Sequence, residues 1–216
     1  MAYSFDQAFA ADVVRPPRVA SVFAVTALGV NALLLNGLAV LGTAHLVRDG
    51  GAASEDVIAV VEVVQWPALL AASIAVIVWL WQARANADAI DGLPETWGRP
   101  WVIFGWIVPV ISFFVPRNIV GGVWRASAPP GRSAWPVNAW WAAWLGYLLG
   151  TRILGLSDDG GGVGGGLYPA VAELGAVAAL LAMFLVWRIT AFQEAQAVRL
   201  REAIAAEPAP IGGTPA

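Results

Sequence analysis

Of the 216 residues, 59% are hydrophobic and 12% charged. A soluble domain carries about 25% charged residues, so this chain reads as an integral membrane protein. It has no cysteine, which excludes disulfides and thiolate chemistry, and its net charge of −3 is too small to imply a charged partner.

Residues 1–18 read as an N-terminal interfacial segment or a frayed terminus. Ser4 can cap a short helix in which Phe5, Phe9 and Val13 share a face, and Pro16 and Pro17 end it. Residues 19–200 form one helical membrane domain, and 201–216 a C-terminal cytoplasmic tail. The first apolar run, Val19–Val47, exceeds the roughly 7–15 residues of a cleaved signal's core. It is therefore predicted to be a retained span that also targets the chain. Asn31, Asn36 and His45 interrupt it. A second span covers 57–81, with Glu62 and Gln65 inside and Pro67 expected to kink it. Trp79 and Trp81 mark its far end at headgroup depth. The helix then continues into water as far as Gly92 and Pro94.

The central stretch, 101–125, is different. Its apolar core, Trp101–Val115, covers roughly 22 Å against a hydrocarbon layer of about 30 Å. Pro109 sits in its middle, and Gly105, four residues earlier, leaves room for a bend at the carbonyl that the proline would crowd. Pro116 closes the core. Beyond it the pattern turns amphipathic, with Arg117, Gly121 and Arg125 on one stripe and Ile119, Val120, Val123 and Trp124 on the other. That is the pattern of a helix lying in the interface. Ala128–Pro136 is a linker.

A third span covers 137–156, opening on Trp140, Trp141 and Trp144 as expected at a headgroup boundary. Ala142, Gly146 and Gly150 repeat every four residues, a packing face for another helix. The glycine-rich loop Ser157–Gly166 follows. A phosphate cradle would need a strand before it and a lysine, so a flexible linker is the better reading. The last span, 167–187, contains Glu173 and continues as a water-exposed amphipathic helix.

The fold expected is thus an all-α integral membrane protein. It has four transmembrane helices plus a Pro-broken re-entrant or interfacial segment, with five spans as the alternative. Arginine placement separates the two. Full crossing of 101–125 removes the positive-inside bias. With four crossings, Arg15, Arg18, Arg84, Arg99, Arg117, Arg125, Arg132, Arg188, Arg199 and Arg201 all lie inside, as do both termini. The implied location is the inner cell membrane. At matching depth near the outer surface, Arg152, Glu62, Glu173 and His45 come from four helices. Arg152 is expected to meet Glu62 or Glu173 inside the bundle, the alternative being that each snorkels to the headgroups.

Several marks resemble the bacterial membrane family called domain of unknown function 4328. They are Arg84–Ala85–Asn86–Ala87, then Gly105–Trp106 with Pro109, then Pro116, then Trp124–Arg125–Ala126–Ser127. The pair Trp140–Trp141 and the exit Arg188, Thr190, Gln193 also fit. The resemblance spans roughly 57–199 and implies a polytopic helical membrane protein, with no reaction, substrate or cofactor. His45 is the one histidine and has no nucleophile motif beside it. No metal-ligand spacing and no basic patch for nucleic acid is present. The expectation is a non-enzymatic scaffold, regulatory or oligomerising membrane module without cofactor. Its partners would be the bilayer and a second copy or another membrane protein. The alternative is a transporter or channel-like protein for an ion or small solute, favoured by the broken segment.

Overall fold

The computed structural model describes residues 14–47, 52–91, 97–156 and 163–206; the side chains at 45–46, 52–58, 62, 91, 155–156 and 163–166 lie outside that description. The described residues form helices joined by short links, with no strand. In order these are α1 (Arg18–Val47), α2 (Ala52–Asp91), α3 (Trp101–Ile107), α4 (Val115–Ser127), α5 (Trp135–Leu156) and α6 (Val163–Ala205).

Three of them carry stretches long and apolar enough to cross a membrane: Arg18–Ala44, Ala59–Ile90 and Leu167–Ala205. The fourth long helix, α5, has 22 residues, about 33 Å at 1.5 Å per residue. Its four tryptophans and Arg152 lower its mean hydropathy below that of the other three.

The long helices stand in the row α2–α1–α6–α5, each antiparallel to its neighbour. Asn31 of α1 meets Gln65 of α2, and Arg15, just before α1, meets Asn86 of α2, so residue numbers run in opposite directions. On α1 and α6, Arg18 meets Glu194 while Asn36 meets Glu173. On α5 and α6, Gly146 faces Leu174 and Gly150 faces Val171. The start of α1, the end of α2, the start of α5 and the exit of α6 therefore share one end. The short helices α3 and α4 lie at that end, where α4 packs on α2, α5 and α6.

The central stretch is broken. Helix α3 stops at Ile107, Val108 turns extended, and Val110 takes φ 66°. That is left-handed backbone, which a β-branched residue rarely adopts. A single 3-10 turn, Ile111–Phe113, leads into α4. Across this break Gly105 abuts Val115, and a Cβ there would lie 2.8 Å from Val115 Cγ1. Gly105 thus serves the close crossing of α3 and α4; the helix it was expected to bend at Pro109 has already ended. Pro116 sits in the first turn of α4. It starts that helix, where its missing N–H has no intrahelical partner to lose. The two stripes of α4 divide as patterned: Ile119, Val120, Val123 and Trp124 are buried while Arg117 and Arg125 are exposed. Gly121 departs from its stripe and is buried.

Other expectations are revised. Helix α6 begins at Val163, inside the glycine-rich stretch read as a linker, whereas Pro67 lies within α2, where it was expected. The exit of α6 is not bathed in water on all sides, since Ile189, Thr190, Phe192, Gln193 and Ala197 are buried. The N-terminal segment up to residue 13 lies outside the described residues, but Val14 is fully buried.

Candidate functional site

Polar groups from four segments, side chains from three and backbone from the fourth, converge at the end of the bundle that holds α4. Asn86, on α2, clamps the backbone of Arg15 just before α1. Its Nδ2 donates to Arg15 O at 3.0 Å and its Oδ1 accepts from Arg15 N at 3.2 Å. The same Nδ2 donates to Gln193 Oε1 on α6 at 2.9 Å. Gln193 is fully buried, and its Nε2 donates to Ala83 O at 2.8 Å and to Ser127 Oγ, the last residue of α4, at 3.0 Å. One glutamine thereby ties α6 to both α2 and α4. Next along α6, Gln196 Nε2 donates to Ser127 O at 3.0 Å, which satisfies a carbonyl left over at the end of α4. One turn earlier, Thr190 Oγ1 accepts from Trp79 Nε1 at 3.0 Å.

Arg84 borders this knot. Its side chain is almost entirely buried, with Nε on Asp88 Oδ1 at 2.8 Å and Nη2 on Trp97 O at 3.2 Å. The latter bond fixes the entry to α3. Beside it Arg99 stacks on Trp81, 4.9 Å from the ring centre. A charge this buried persists only when paired and hydrogen-bonded, and Arg84 is both.

A tryptophan cluster lies alongside. Trp106 of α3 sits edge-on to Trp140, Trp141 and Trp144 of α5, with centroids 6.3, 6.5 and 6.3 Å away. Trp141 Nε1 donates to Phe113 O at 3.2 Å, pinning the broken segment where its backbone is irregular. Trp79, Trp140 and Trp141 are buried within the protein. The amphipathic indole needs an acceptor for its N–H as well as apolar contact, and here Thr190 and Phe113 supply it inside the protein.

Of the polar group expected near the opposite end, the side chains of Arg152 and Glu173 are described. Arg152 is exposed, and neither ion pair among the described residues includes it. Glu173 is exposed too, and its Oε2 accepts from Asn36 Nδ2 at 3.0 Å. Of the two partners expected for Arg152, Glu173 forms no ion pair with it among the described residues, and the Glu62 side chain falls outside them. The reason that Glu173 is not met is angular: Arg152 lies two residues, about 200°, round α5 from Gly150, the residue that faces α6. The side chain of His45 also lies outside the described residues. Deeper in the bundle, Gln65 Nε2 donates to Asn31 Oδ1 at 2.7 Å, while Gln65 Oε1 is buried without a partner.

The small-residue row is used within the chain. A Cβ on Gly146 would lie 2.6 Å from Leu174 Cδ2, and one on Gly150 2.6 Å from Val171 Cγ2. Ala142 is exposed and falls outside this contact. A four-residue step drifts about 40° round a helix, so the row leaves the shared face within two steps.

The hydrogen-bonded knot escaped the sequence reading as a site, although Asn86, Ser127, Thr190 and Gln193 were among the residues carrying the family resemblance. The available signal was their polarity on helices otherwise rich in alanine and leucine. Among the described residues no group of three or more His, Asp or Glu could hold a metal ion. No curated protein and no solved structure matches the chain. The family described as Domain of unknown function (DUF4328) matches residues 42–191, which take in α2 to α5, most of α6 and the knot up to Thr190, and the chain belongs to that family.

Proposed function

We propose that the protein is a non-enzymatic scaffold or regulatory module of the inner membrane, with α1, α2, α5 and α6 crossing and both termini cytoplasmic. In this reading α3 and α4 form a re-entrant hairpin that closes the cytoplasmic end. The observation that carries it is the knot. Its polar side chains are bound to one another and to backbone carbonyls of α2 and α4, an arrangement suited to holding helices together. The charge distribution supports the orientation. Arg18, Arg84, Arg99 and Arg117 all make contacts at the α4 end, whereas Arg152 lies at the other end of α5.

Two experiments test this. In intact cells, an impermeant thiol reagent should label Gly161→Cys, between α5 and α6, and spare Ala128→Cys, just after α4; external labelling of the latter would refute four crossings. Purified protein in liposomes should pass common ions no faster than empty vesicles do. A selective leak would instead favour the second reading, a transporter for an ion or small solute. That reading draws on the unpartnered, buried Gln65 Oε1 and on the broken backbone at Val110.

A further inference from the structure

We propose that a cleft between the start of α5 and α6 binds the headgroup of an anionic phospholipid. The cleft has a volume of about 360 Å³, and Arg132 and Arg188 approach it from two separate elements. Neither arginine takes part in an ion pair among the described residues. Arg188 makes cation–π contacts with two aromatic rings, its guanidinium carbon 4.8 Å from the centre of Phe192 and 5.4 Å from that of Trp187. Contact of this kind holds a guanidinium while leaving N–H groups free to meet an oxyanion. Arg132 is presented by a tight turn. Its N–H donates to Pro129 O at 3.3 Å, and Gly131 takes φ 80°. A type II turn needs glycine at that position and favours proline before it, and Pro130 is there.

Trp124 supplies the second, independent observation. It lines the cleft, it is 3% exposed, and its Nε1–H is buried without an acceptor among the described residues. A buried indole N–H normally has a partner, and a phosphate oxygen in the cleft would provide one. Phosphate chemistry alone could come from a soluble anion. The flank decides for a lipid: Phe184 and Trp187 also line the cleft, and both are exposed along the apolar run of α6. A ligand with a phosphate at one end and acyl chains at the other fits both parts. Basic pockets between helices on the cytoplasmic side recognise anionic headgroups in this way. A zwitterionic lipid would bring a cation against two arginines.

The inference rests on the membrane placement proposed above, but its test does not depend on orientation. Full-length protein in neutral detergent is titrated with short-chain phosphatidylglycerol, phosphatidylcholine and inorganic phosphate, and bound ligand is counted by native mass spectrometry. Phosphatidylglycerol should bind at least about tenfold more tightly than phosphatidylcholine, given about fivefold per basic residue. Arg132→Gln, in an exposed turn, should lose about fivefold. Trp124→Phe keeps an aromatic ring at the site, removes the pyrrole ring that carries the N–H, and should also weaken binding several-fold. Arg201→Gln, far along α6, removes the same charge and should change nothing. Equal binding of the two lipids would overturn the proposal, as would wild-type affinity in Arg132→Gln or Trp124→Phe, or an equal loss in Arg201→Gln. Displacement of the lipid by inorganic phosphate at equal concentration would assign the cleft to a soluble anion and overturn it as well. Because the cysteine labelling decides topology separately, failure of either reading is recognisable on its own.

Discussion

Gly175→Ala is expected to lower the melting temperature in detergent more than any other single glycine-to-alanine change in the long helices. A Cβ at Gly175 would lie 2.7 and 2.8 Å from Tyr147 Cδ2 and Cε2 on α5, and 2.9 Å from Leu35 Cδ1 on α1. Two helices press on one point from different sides, so relief toward one increases the clash with the other. Overpacking of a well-filled site costs about 1–3 kcal/mol, and rigid rings place this one toward the upper end. The contrast is Gly37→Ala on α1, where a Cβ would meet nothing within 4 Å. There the higher helix propensity of alanine should raise stability by about 0.5–1 kcal/mol. Combining Gly175→Ala with Tyr147→Ala should cost less than the sum of the two, because each change removes part of the other's penalty. Additive losses in that cycle would show that Gly175 is not the point where α1, α5 and α6 meet.

That meeting point was partly legible in the sequence. Gly146 and Gly150 stood out by spacing, since small residues four apart recur on one face of a helix. Gly175 did not, because it lies alone among alanines on α6 and its importance comes from neighbours on two other helices. The same limit explains Arg152 and Glu173. Their depth along each helix could be counted from the ends of the apolar runs, but direction round the axis could not. Glu173 is bonded to Asn36 of α1, and Arg152 is exposed. The long helices were readable because their apolar runs are long. The break at Pro109 was readable because proline has a local effect. The tryptophans were not readable in that sense: an indole beside an apolar run looks alike whether its N–H reaches headgroups or, as for Trp79, the hydroxyl of Thr190. For the knot, composition marked Asn86, Ser127 and Gln193 as polar, and only the antiparallel stacking of α2 on α1 and α1 on α6 brings them within reach of one another.

Asn86 and Gln193 should behave as one unit. Gln193→Ala removes the two donors that reach Ala83 O and Ser127 Oγ and the acceptor that receives Asn86 Nδ2. Each buried polar group left unsatisfied costs about 1–3 kcal/mol, so a loss of about 3 kcal/mol or more is expected before the cavity is considered. Asn86→Ala frees Arg15 N and Arg15 O as well as Gln193 Oε1. It should detach the segment before α1, read as faster hydrogen exchange at Arg15 and at the first turn of α1. Exchange at Gly150 and Val171, at the opposite end of the bundle, should stay slow. The double change should fall short of the sum by about 0.5–3 kcal/mol, the range for side chains sharing a hydrogen-bond network. Gln193→Glu separates shape from chemistry. It keeps the size of the side chain but sets an acceptor against Ala83 O, where a donor is required. Burying that charge without a partner should cost at least as much as truncation to alanine. If Gln193→Glu melts with the wild type, the knot does not hold α6 to α2 and α4, and the scaffold reading loses the observation on which it stands.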